Sequence, residues 1–450
     1  MPNVSTDIVK LIICADIGEV KQSYRKLNVI LETNFAMKLV WMIGYNGLSP
    51  IWIDMSKKSL SKADLKLEVG GRVDEQRDAL LKLSLNIHDN PETGFKEERA
   101  SGWLTAYLAQ SGFRIEKGIG GFPTAFKAIY GGGKPVIALL AEYDALPELG
   151  HACGHNIIAA SSTGAAVGSK LAVDRYGGTV LVFGTPAEEL FGGKISMLKA
   201  GVFDGIDAAM MVHPGVHNAA TNSALACQGI DLQFFGKAVH AAAFPDRGIN
   251  ALDAMLLAIN GINSLRQHIQ ERARIHGIIT NGGEAPNIVP GHTAASFLVR
   301  APDCESLEEL KSKFLKCFEG AATATGARLE YKWAEVVYEP MNNNIVLASL
   351  FAQNLESLGR KVEPLGSYFP FGSTDVGNVS QIIPAIHPSI AVATPDVLLH
   401  SAEFVPAGIS EAGHQGLMDA AKALAMTVTD LLAEPENMAA AKAEFLNSKR

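Results

Sequence analysis

The apolar positions in the first half of the chain predict two helices and then an alternation of strands and helices. The first helix covers the apolar stretch from about 80 to 87 and ends at Asn90-Pro91, and the second runs over about 97–111. Beyond them, strand and helix patterns alternate at 136–140, 156–171, 179–183, 194–200 and 206–212. This alternation predicts an α/β layer with a largely parallel sheet.

The order of the predicted elements changes in the middle of the chain. From about 229 to 335 it is strand, helix, strand, strand, helix, strand, which is the order of a ferredoxin-like unit. Ser306 and Glu309 stand at capping-box spacing and are predicted to open the second helix of this unit. A strand at 390–393 and a helix over about 412–432 then return to the first domain.

The length of 450 residues also predicts more than one domain, because single hydrophobic cores stop growing at roughly 250–300 residues. We expect a catalytic domain over 71–228 and 336–450, with the ferredoxin-like α+β domain inserted at 229–335. Residues 1–70 show no clear period and are expected to form an N-terminal extension, to which no role is assigned.

Composition and charge narrow the classes of partner. The net charge of -8 argues against a nucleic-acid partner, which requires a basic face. The five cysteines are odd in number and widely spread, which argues against a disulfide framework and fits a reducing compartment. The apolar stretch at 11–15 lacks the basic flank of a secretory signal, and the one at 35–45 is shorter than the ~20 residues of a membrane span. We therefore expect a cytoplasmic protein with a small-molecule ligand.

Polar residues follow three of the predicted strands, at the sheet edge where ligands bind in open α/β folds. They are Glu142 and Asp144, Glu188 and Glu189, and His213. The segment His-Ala-Cys-Gly-His lies between the first two sites, at 151–155. Thiolate, imidazole and carboxylate together suit zinc, or less selectively manganese, cobalt or nickel. Taken alone, however, this segment is more typical of a buried cysteine and a core histidine.

The adjacent carboxylates of Glu188 and Glu189 can have two different roles. Adjacent side chains point in different directions, so one carboxylate can bind a metal while its neighbour reaches a water that the metal activates. The other interpretation is a solvated acidic loop or helix N-terminus. His400 is an unremarkable histidine when it is considered by itself.

Several strings in this order resemble the M20 peptidase family, which includes aminoacylase, carboxypeptidase G and hippurate hydrolase. The resemblance covers about 73–432. The strings are Ala-Glu-Tyr-Asp-Ala-Leu-Pro at 141–147, His-Ala-Cys-Gly-His-Asn at 151–156, Thr-Pro-Ala-Glu-Glu at 185–189 and Gly-Ser-Thr-Asp-Val-Gly-Asn-Val at 372–379.

The resemblance implies two divalent metal ions, zinc or manganese, at an α/β domain with a mixed sheet. The implied ligands are Cys153, His155, Glu189, His213 and His400. Glu188 takes the role of general base and acid, and the ferredoxin-like domain takes that of a lid through which two subunits pair as a homodimer.

The resemblance also assigns residues of the lid. His240, in Gly-Lys-Ala-Val-His-Ala at 236–241, is expected to cross the dimer interface and stabilise the tetrahedral oxyanion. Asn287 and Arg300 are expected to bind the carboxylate of the substrate, and arginine grips carboxylates bidentately. The other interpretations are a turn-forming asparagine and an arginine in a surface ion pair.

Two differences from the usual family pattern indicate one branch of the family. Glu142 stands where an aspartate is usual, and Asn156 with Ile158 replaces the usual Asp-x-His, which puts in doubt any ligand or substrate role for position 158. Both departures look like the branch that contains p-aminobenzoyl-glutamate hydrolase and the dipeptidase called M20 domain-containing protein two. The implied function is hydrolysis of the amide bond of a dipeptide or an N-acyl amino acid with a free carboxylate.

Two other functions stay open. An aminoacylase or hippurate-type hydrolase would differ only in the lining of its pocket. A non-catalytic metal-binding homologue would keep the fold, but the presence of Glu188 argues against it, because a shell of metal ligands does not need this second carboxylate.

Overall fold

The computed structural model describes residues 37–44, 47–54, 61–367 and 372–448. The chain divides into two compact units, Met1–Leu65 and Lys66–Arg450. Within the first, strands β1 (Met37–Gly44) and β2 (Gly47–Asp54) pair as an antiparallel hairpin. The stretch at 11–15, on which the expectation about a secretory signal rests, lies outside the described residues. The domain boundaries expected from the sequence stay predictions.

The remaining strands include three that the sequence pattern did not predict, namely Arg114–Lys117, Phe126–Gly132 and Ala385–Ile386. In chain order the remaining strands are β3 (Arg114–Lys117), β4 (Phe126–Gly132), β5 (Val136–Glu142), β6 (Gly178–Thr185), β7 (Ala208–Met210), β8 (His213–Gly215), β9 (Ala226–Phe235), β10 (Arg274–Asn281), β11 (His292–Ala301), β12 (Arg328–Tyr338), β13 (Ala385–Ile386) and β14 (Ser389–Ala391).

All the predicted helices are present, and the structure adds five that the sequence pattern did not predict, at Lys62–Asp74, Glu188–Phe191, Ile345–Ser357, Val376–Ser380 and Pro435–Asn447. In chain order the helices are α1 (Lys62–Asp74), α2 (Arg77–His88), α3 (Glu98–Gln110), α4 (His155–Tyr176), α5 (Glu188–Phe191), α6 (Gly193–Lys199), α7 (Ala251–Leu265), α8 (Cys304–Thr325), α9 (Ile345–Ser357), α10 (Val376–Ser380), α11 (Glu411–Ala433) and α12 (Pro435–Asn447). None of the helices in the described part of the chain has the length and hydrophobicity of a transmembrane span.

Six strands form one mixed sheet in the order β13-β7-β5-β6-β4-β3. The strands from β13 to β6 are parallel, whereas β4 runs antiparallel to both β6 and β3. Strands β5 and β6 are apolar almost throughout, because both faces of the sheet are covered there. This sheet confirms the predicted α/β class.

The strand predicted at 206–212 is divided in the structure. Strand β7 ends at Met210, where the chain leaves the six-stranded sheet, and His213 begins β8, which pairs in parallel with β14 in a separate two-stranded sheet. An unbroken apolar stretch therefore contains a change of sheet that its pattern does not show.

Helix α4 packs closely against the first helices through two glycines. A Cβ atom on Gly164 would lie 2.5 Å from Cδ1 of Leu80, and one on Gly168 would lie 2.6 Å from Cγ2 of Val73. A side chain at either position would displace Leu80 or Val73 from its buried place. The close packing holds α4 against the sheet and fixes its first residue, His155, at the sheet edge.

The second sheet has the order β10-β11-β9-β12 and is antiparallel throughout. Helices α7 and α8 cover it with a core rich in phenylalanine, including Phe234, Phe297, Phe314 and Phe318. This arrangement confirms the ferredoxin-like α+β unit. The predicted capping box at Ser306 and Glu309 was wrong, because α8 begins at Cys304 and its N-cap is Asp303. The carboxylate of Asp303 accepts from the backbone N of Ser306 at 2.7 Å.

Candidate active site

The residues predicted as metal ligands lie together at one edge of the six-stranded sheet. Their donor atoms form two overlapping sets of three, within each of which all donors lie within 4.8 Å of one another. The sets are Cys153 with His155 and His213, and Cys153 with Glu189 and His400. A third set joins His155 with Glu188 and Glu189. Segments that are up to 247 residues apart in sequence thus meet in one cluster.

Cys153 and Glu189 each lie beside two histidines of this cluster. The Sγ atom of Cys153 lies 3.3 Å from Nε2 of His213 and 3.3 Å from Nε2 of His400. The Oε1 atom of Glu189 lies 3.4 Å from Nε2 of His400 and 3.6 Å from Nε2 of His155. One thiol and one carboxylate therefore each face two imidazoles, as donors around shared ions would.

Asp144 orients two members of the cluster. Its Oδ1 lies 3.2 Å from Nδ1 of His155, and its Oδ2 accepts from the backbone N of Glu189 at 3.0 Å. Burial opposes ionisation, but the hydrogen bond to His155 lowers the pKa of Asp144 below its usual value. A carboxylate behind a histidine fixes the ring and leaves Nε2 facing the cluster. Sequence analysis located Asp144 at the strand end but assigned it no such role.

His213 is oriented by the backbone. Its Nδ1 donates to the carbonyl oxygen of Pro214 at 2.6 Å, which leaves Nε2 as the atom that faces Cys153. Burial and the neighbouring His155 lower the pKa of His213 to about 4. A neutral imidazole is the form that binds a metal.

Two buried polar atoms of the cluster indicate that these residues suit a metal ion. Nε2 of His155 and Oε1 of Glu189 are buried without a hydrogen-bond partner. Burial, and then the carboxylate of Glu189, raise the pKa of the Cys153 thiol well above its usual value, which a bound cation would reverse because a coordinating thiol is deprotonated. Unpaired buried polar atoms are costly unless something binds them. The donor set of thiol, imidazole and carboxylate therefore fits a divalent metal ion.

Glu188 shares a donor set with His155 and Glu189 but belongs to neither of the two sets that contain Cys153. It is presented by the short helix α5, directly after Ala187, which adopts a left-handed conformation with φ 60°. The hydroxyl of Tyr338 donates to the carbonyl oxygen of Glu188 at 3.2 Å. Burial, with Asp375 and Glu142 nearby, raises the pKa of Glu188 well above its usual value. A carboxyl group in this setting accepts a proton readily, as a general base does.

A buried lysine balances the acidic groups behind Glu188. Nζ of Lys194 lies 2.5 Å from Oε1 of Glu142 and 2.8 Å from Oδ1 of Asp375, and all three side chains are at most 1% exposed. Burial works against the charged lysine, but Asp375 and Glu142 outweigh it and raise the pKa of Lys194. The longer side chain at Glu142, where an aspartate is usual, thus reaches Lys194. No sequence pattern assigned a role to Lys194 or Asp375, although Asp375 stood in one of the family-like strings.

The cluster opens into a cavity of about 490 Å³. One side is lined by Cys153, Glu188, Glu189, His213 and His400. The rest is lined by Cys227, Leu298, Arg300 and Tyr338 of the second sheet, and by Gly372, Ser373, Thr374 and Leu399. Nη1 of Arg300 donates to Oγ of Ser373 at 2.8 Å. Arg300 therefore faces the same cavity as Glu188, which is the position a carboxylate-binding residue needs.

His240 and Asn287 lie on two adjoining loops of the second sheet, and both are exposed. The backbone N of Ala241 donates to the carbonyl oxygen of Asn287 at 2.9 Å, which joins the loops. Neither residue lines the cavity described above. Their roles stay predictions.

The departure from the family pattern at positions 156 and 158 has structural reasons. Nδ2 of Asn156 donates to Oγ of Ser84 at 2.8 Å and to the carbonyl oxygen of Gly408 at 3.2 Å. Ile158 is fully buried in an apolar cluster that includes Leu140 and Phe183. Position 158 is therefore part of the core.

An α/β domain with this donor cluster at its sheet edge, joined to a ferredoxin-like unit, defines a metal-dependent hydrolase. Residues 227–325 match the model of the peptidase dimerisation domain of the M20 family. The chain is 38% identical to the Xaa-Arg dipeptidase of Mus musculus over 85% of its own length and 92% of that protein. It is 32% identical to a subunit of the p-aminobenzoyl-glutamate hydrolase of Escherichia coli strain K12, over 80% of its own length and 90% of that subunit.

The fold also matches solved structures. A dinuclear metal binding peptidase of the M20 family from Bacillus subtilis aligns with a TM-score of 0.62 at 20% identity, covering 80% of this chain and 99% of that one. The chain belongs to the M20 peptidase family. The predicted family, branch and class of enzyme, a metal-binding amidohydrolase, are confirmed.

Proposed function

We propose that this chain is a two-metal amidohydrolase that cleaves the amide bond of a dipeptide or an N-acyl amino acid with a free carboxylate. The observation that carries the proposal is one cavity lined both by the donor cluster with Glu188 and by Arg300. The relatives named as a dipeptidase and as p-aminobenzoyl-glutamate hydrolase support this substrate class.

In this proposal the residues of the cluster share the work of holding metal and moving a proton. Cys153, His155, Glu189, His213 and His400 hold the ions, zinc or manganese. When bound, the ions supply Lewis-acid activation of the amide carbonyl and of water. Glu188 takes the proton from the attacking water and passes it to the leaving amine. Asp144 keeps Nε2 of His155 directed at the ions.

The substrate is held by its carboxylate. The guanidinium of Arg300 grips that carboxylate, with Ser373 and His276 fixing the side chain through contacts of 2.8 Å to Nη1 and 3.2 Å to Nε. Asn287 completes the carboxylate site in the assembled enzyme. We also propose a cytoplasmic location, because Cys153 has to remain a free thiol to bind metal.

The domain at 229–335 acts as lid and dimerisation domain, and His240 serves the active site of the partner subunit. Nδ1 of His240 accepts from the backbone N atoms of Ala242 and Ala243, both at 3.3 Å. The ring proton therefore lies on Nε2, which can donate to an oxyanion. Its exposure on a loop that does not line the cavity supports a role across the interface.

Mixed dimers test this role. We expect His240→Ala to lower kcat by about 10²–10³-fold, as the loss of one oxyanion donor does. A purified heterodimer of one His240→Ala and one Glu188→Gln subunit should recover about half of the wild-type turnover, because one of its two sites is then complete. A heterodimer as inactive as its parents would show that His240 does not act across the interface.

A substrate panel tests the proposed function itself. Purified protein of known metal content is assayed for amide hydrolysis with β-alanyl and α-dipeptides ending in Lys, Arg or Glu, with p-aminobenzoyl-glutamate and with hippurate. We expect turnover of dipeptides or of p-aminobenzoyl-glutamate. Activity on hippurate alone would instead indicate an aminoacylase or hippurate-type hydrolase, and no turnover by metal-loaded protein would favour a non-catalytic homologue.

A further inference from the structure

In the described part of the chain, four residues other than glycine adopt a left-handed backbone conformation, and Ala187 and Phe95 are two of them. Ala187, directly before Glu188 and Glu189, has φ 60° and ψ 45°, and Phe95 has φ 63°. The left-handed region is unfavourable for a residue other than glycine, so surrounding contacts have to fix it.

One buried carboxylate contacts both of these residues. Oε1 of Glu97 accepts from the backbone N of Phe95 at 2.9 Å and from the backbone N of Ala187 at 2.9 Å. Its other oxygen, Oε2, accepts from Oγ1 of Thr124 at 2.9 Å. Glu97 is 0% exposed, and its partner Ala187 is 90 residues away in sequence. The carboxylate therefore joins the segment before α3 to the turn that presents the catalytic pair.

Glu97 stands at the N-terminus of α3, but capping this helix does not explain its side chain. The side chain makes no cap hydrogen bond to its own helix. Glu92 fills that role instead, with its carboxylate accepting from the backbone N atoms of Arg99 and Ala100 at 3.0 Å each. Burial raises the pKa of Glu97 to about 7, so its charged form is costly at this position. Its placement thus serves the turn at Ala187.

We propose that Glu97 is a positioning residue for hydrolysis, which fixes the left-handed turn at Ala187 so that Glu189 faces the donor cluster and Glu188 faces the attacking water. This rests on the proposed function for the roles of Glu188 and Glu189. No metal or substrate contact is assigned to Glu97 itself. It acts through the backbone of Ala187.

The test compares Glu97→Ala with Glu97→Gln, which keeps an acceptor oxygen at the same length. For Glu97→Ala we expect kcat to fall at least about tenfold with KM within about threefold of wild type. We expect zinc affinity, measured by calorimetry with zinc alone, to fall about 10–100-fold, as it does when residues behind metal ligands are lost. Glu97→Gln should recover both quantities to within about threefold of wild type.

Asn354→Ala is the matched control. Asn354 is 1% exposed and donates to Oγ1 of Thr427 at 3.0 Å and to Asp430 at 2.9 Å. This variant also loses buried hydrogen bonds of a polar side chain but does not touch the turn, so it should lower the melting temperature while kcat and zinc affinity stay unchanged. An Asn354→Ala variant that loses as much as Glu97→Ala, or a folded Glu97→Ala with wild-type kcat and zinc affinity, would overturn the proposal.

Two additions to the experiment cover a variant that does not fold and a wild-type protein without activity. If Glu97→Ala does not fold, Glu97→Asp replaces it, since its side chain is one methylene too short for Ala187. A Glu97→Asp variant that retains more activity and zinc affinity than Glu97→Gln would overturn the proposal. If wild-type protein hydrolyses no substrate of the panel, the proposed function fails, and zinc affinity alone then decides whether Glu97 positions Glu189.

Discussion

Replacing Glu188 by glutamine lowers kcat by about 10²–10⁴-fold and leaves metal binding intact, because the amide neither takes a proton from water nor gives one to the leaving amine. The substitution keeps the size of the side chain and changes none of the five proposed ligands. Turnover is measured by release of the free amine, and bound metal by elemental analysis of the same sample.

Glu335→Gln is the control for this prediction, because Glu335 is an exposed carboxylate on β12, outside the cavity lining. Its kcat should equal that of wild type. If Glu188→Gln retains near-wild-type activity, Glu188 is not the general base. If activity is lost together with the metal, Glu188 is a ligand rather than a base.

Replacing Lys194 by methionine destabilises the folded protein by about 3–5 kcal/mol, because Glu142 and Asp375 then remain buried without their cation. Lys194 is fully buried in contact with both carboxylates, so water cannot take the place of its charge. The free energy of unfolding is measured by urea denaturation, at the same metal saturation for the variant and the wild type.

Lys313→Met provides the comparison for this prediction. Lys313 also pairs with a carboxylate, that of Glu309, but its side chain is 43% exposed. Exposed ion pairs contribute at most about 1 kcal/mol, so this variant should unfold almost as wild type does. A Lys194→Met variant of similar stability to Lys313→Met would mean that the two buried carboxylates do not depend on Lys194.

The elements that the sequence predicted well are those with long, regular apolar patterns. The ferredoxin-like unit followed from its order of strands and helices, and its sheet and helices agree with that order. Strand β4 was missed because it ends in two glycines and is covered only in part. The break after Met210 was missed because a strand that changes sheet keeps the same apolar composition.

The residues of the active site also fall into those that the sequence predicted and those that it missed. Its donors stand in short motifs, so the sequence could single out Cys153, His155 and Glu189. The supporting residues carry no local signal, because their partners are distant in the chain: Lys194 lies 181 residues from Asp375, and Glu97 lies 90 residues from Ala187. A lysine in a short helix and a glutamate before a helix are ordinary surface residues until the fold buries them. The roles of His240 and Asn287 depend on a second protomer, which one chain does not contain.

The most direct test of the central claim follows metal binding and hydrolysis in one titration. Protein is stripped with a chelator, and zinc or manganese is returned in steps while bound metal and amide hydrolysis of the best panel substrate are measured together. We predict that stripped protein has no turnover and that full activity returns as about two ions bind per chain. Turnover that survives complete removal of metal would contradict the account, as would two bound ions without hydrolysis of any substrate in the panel.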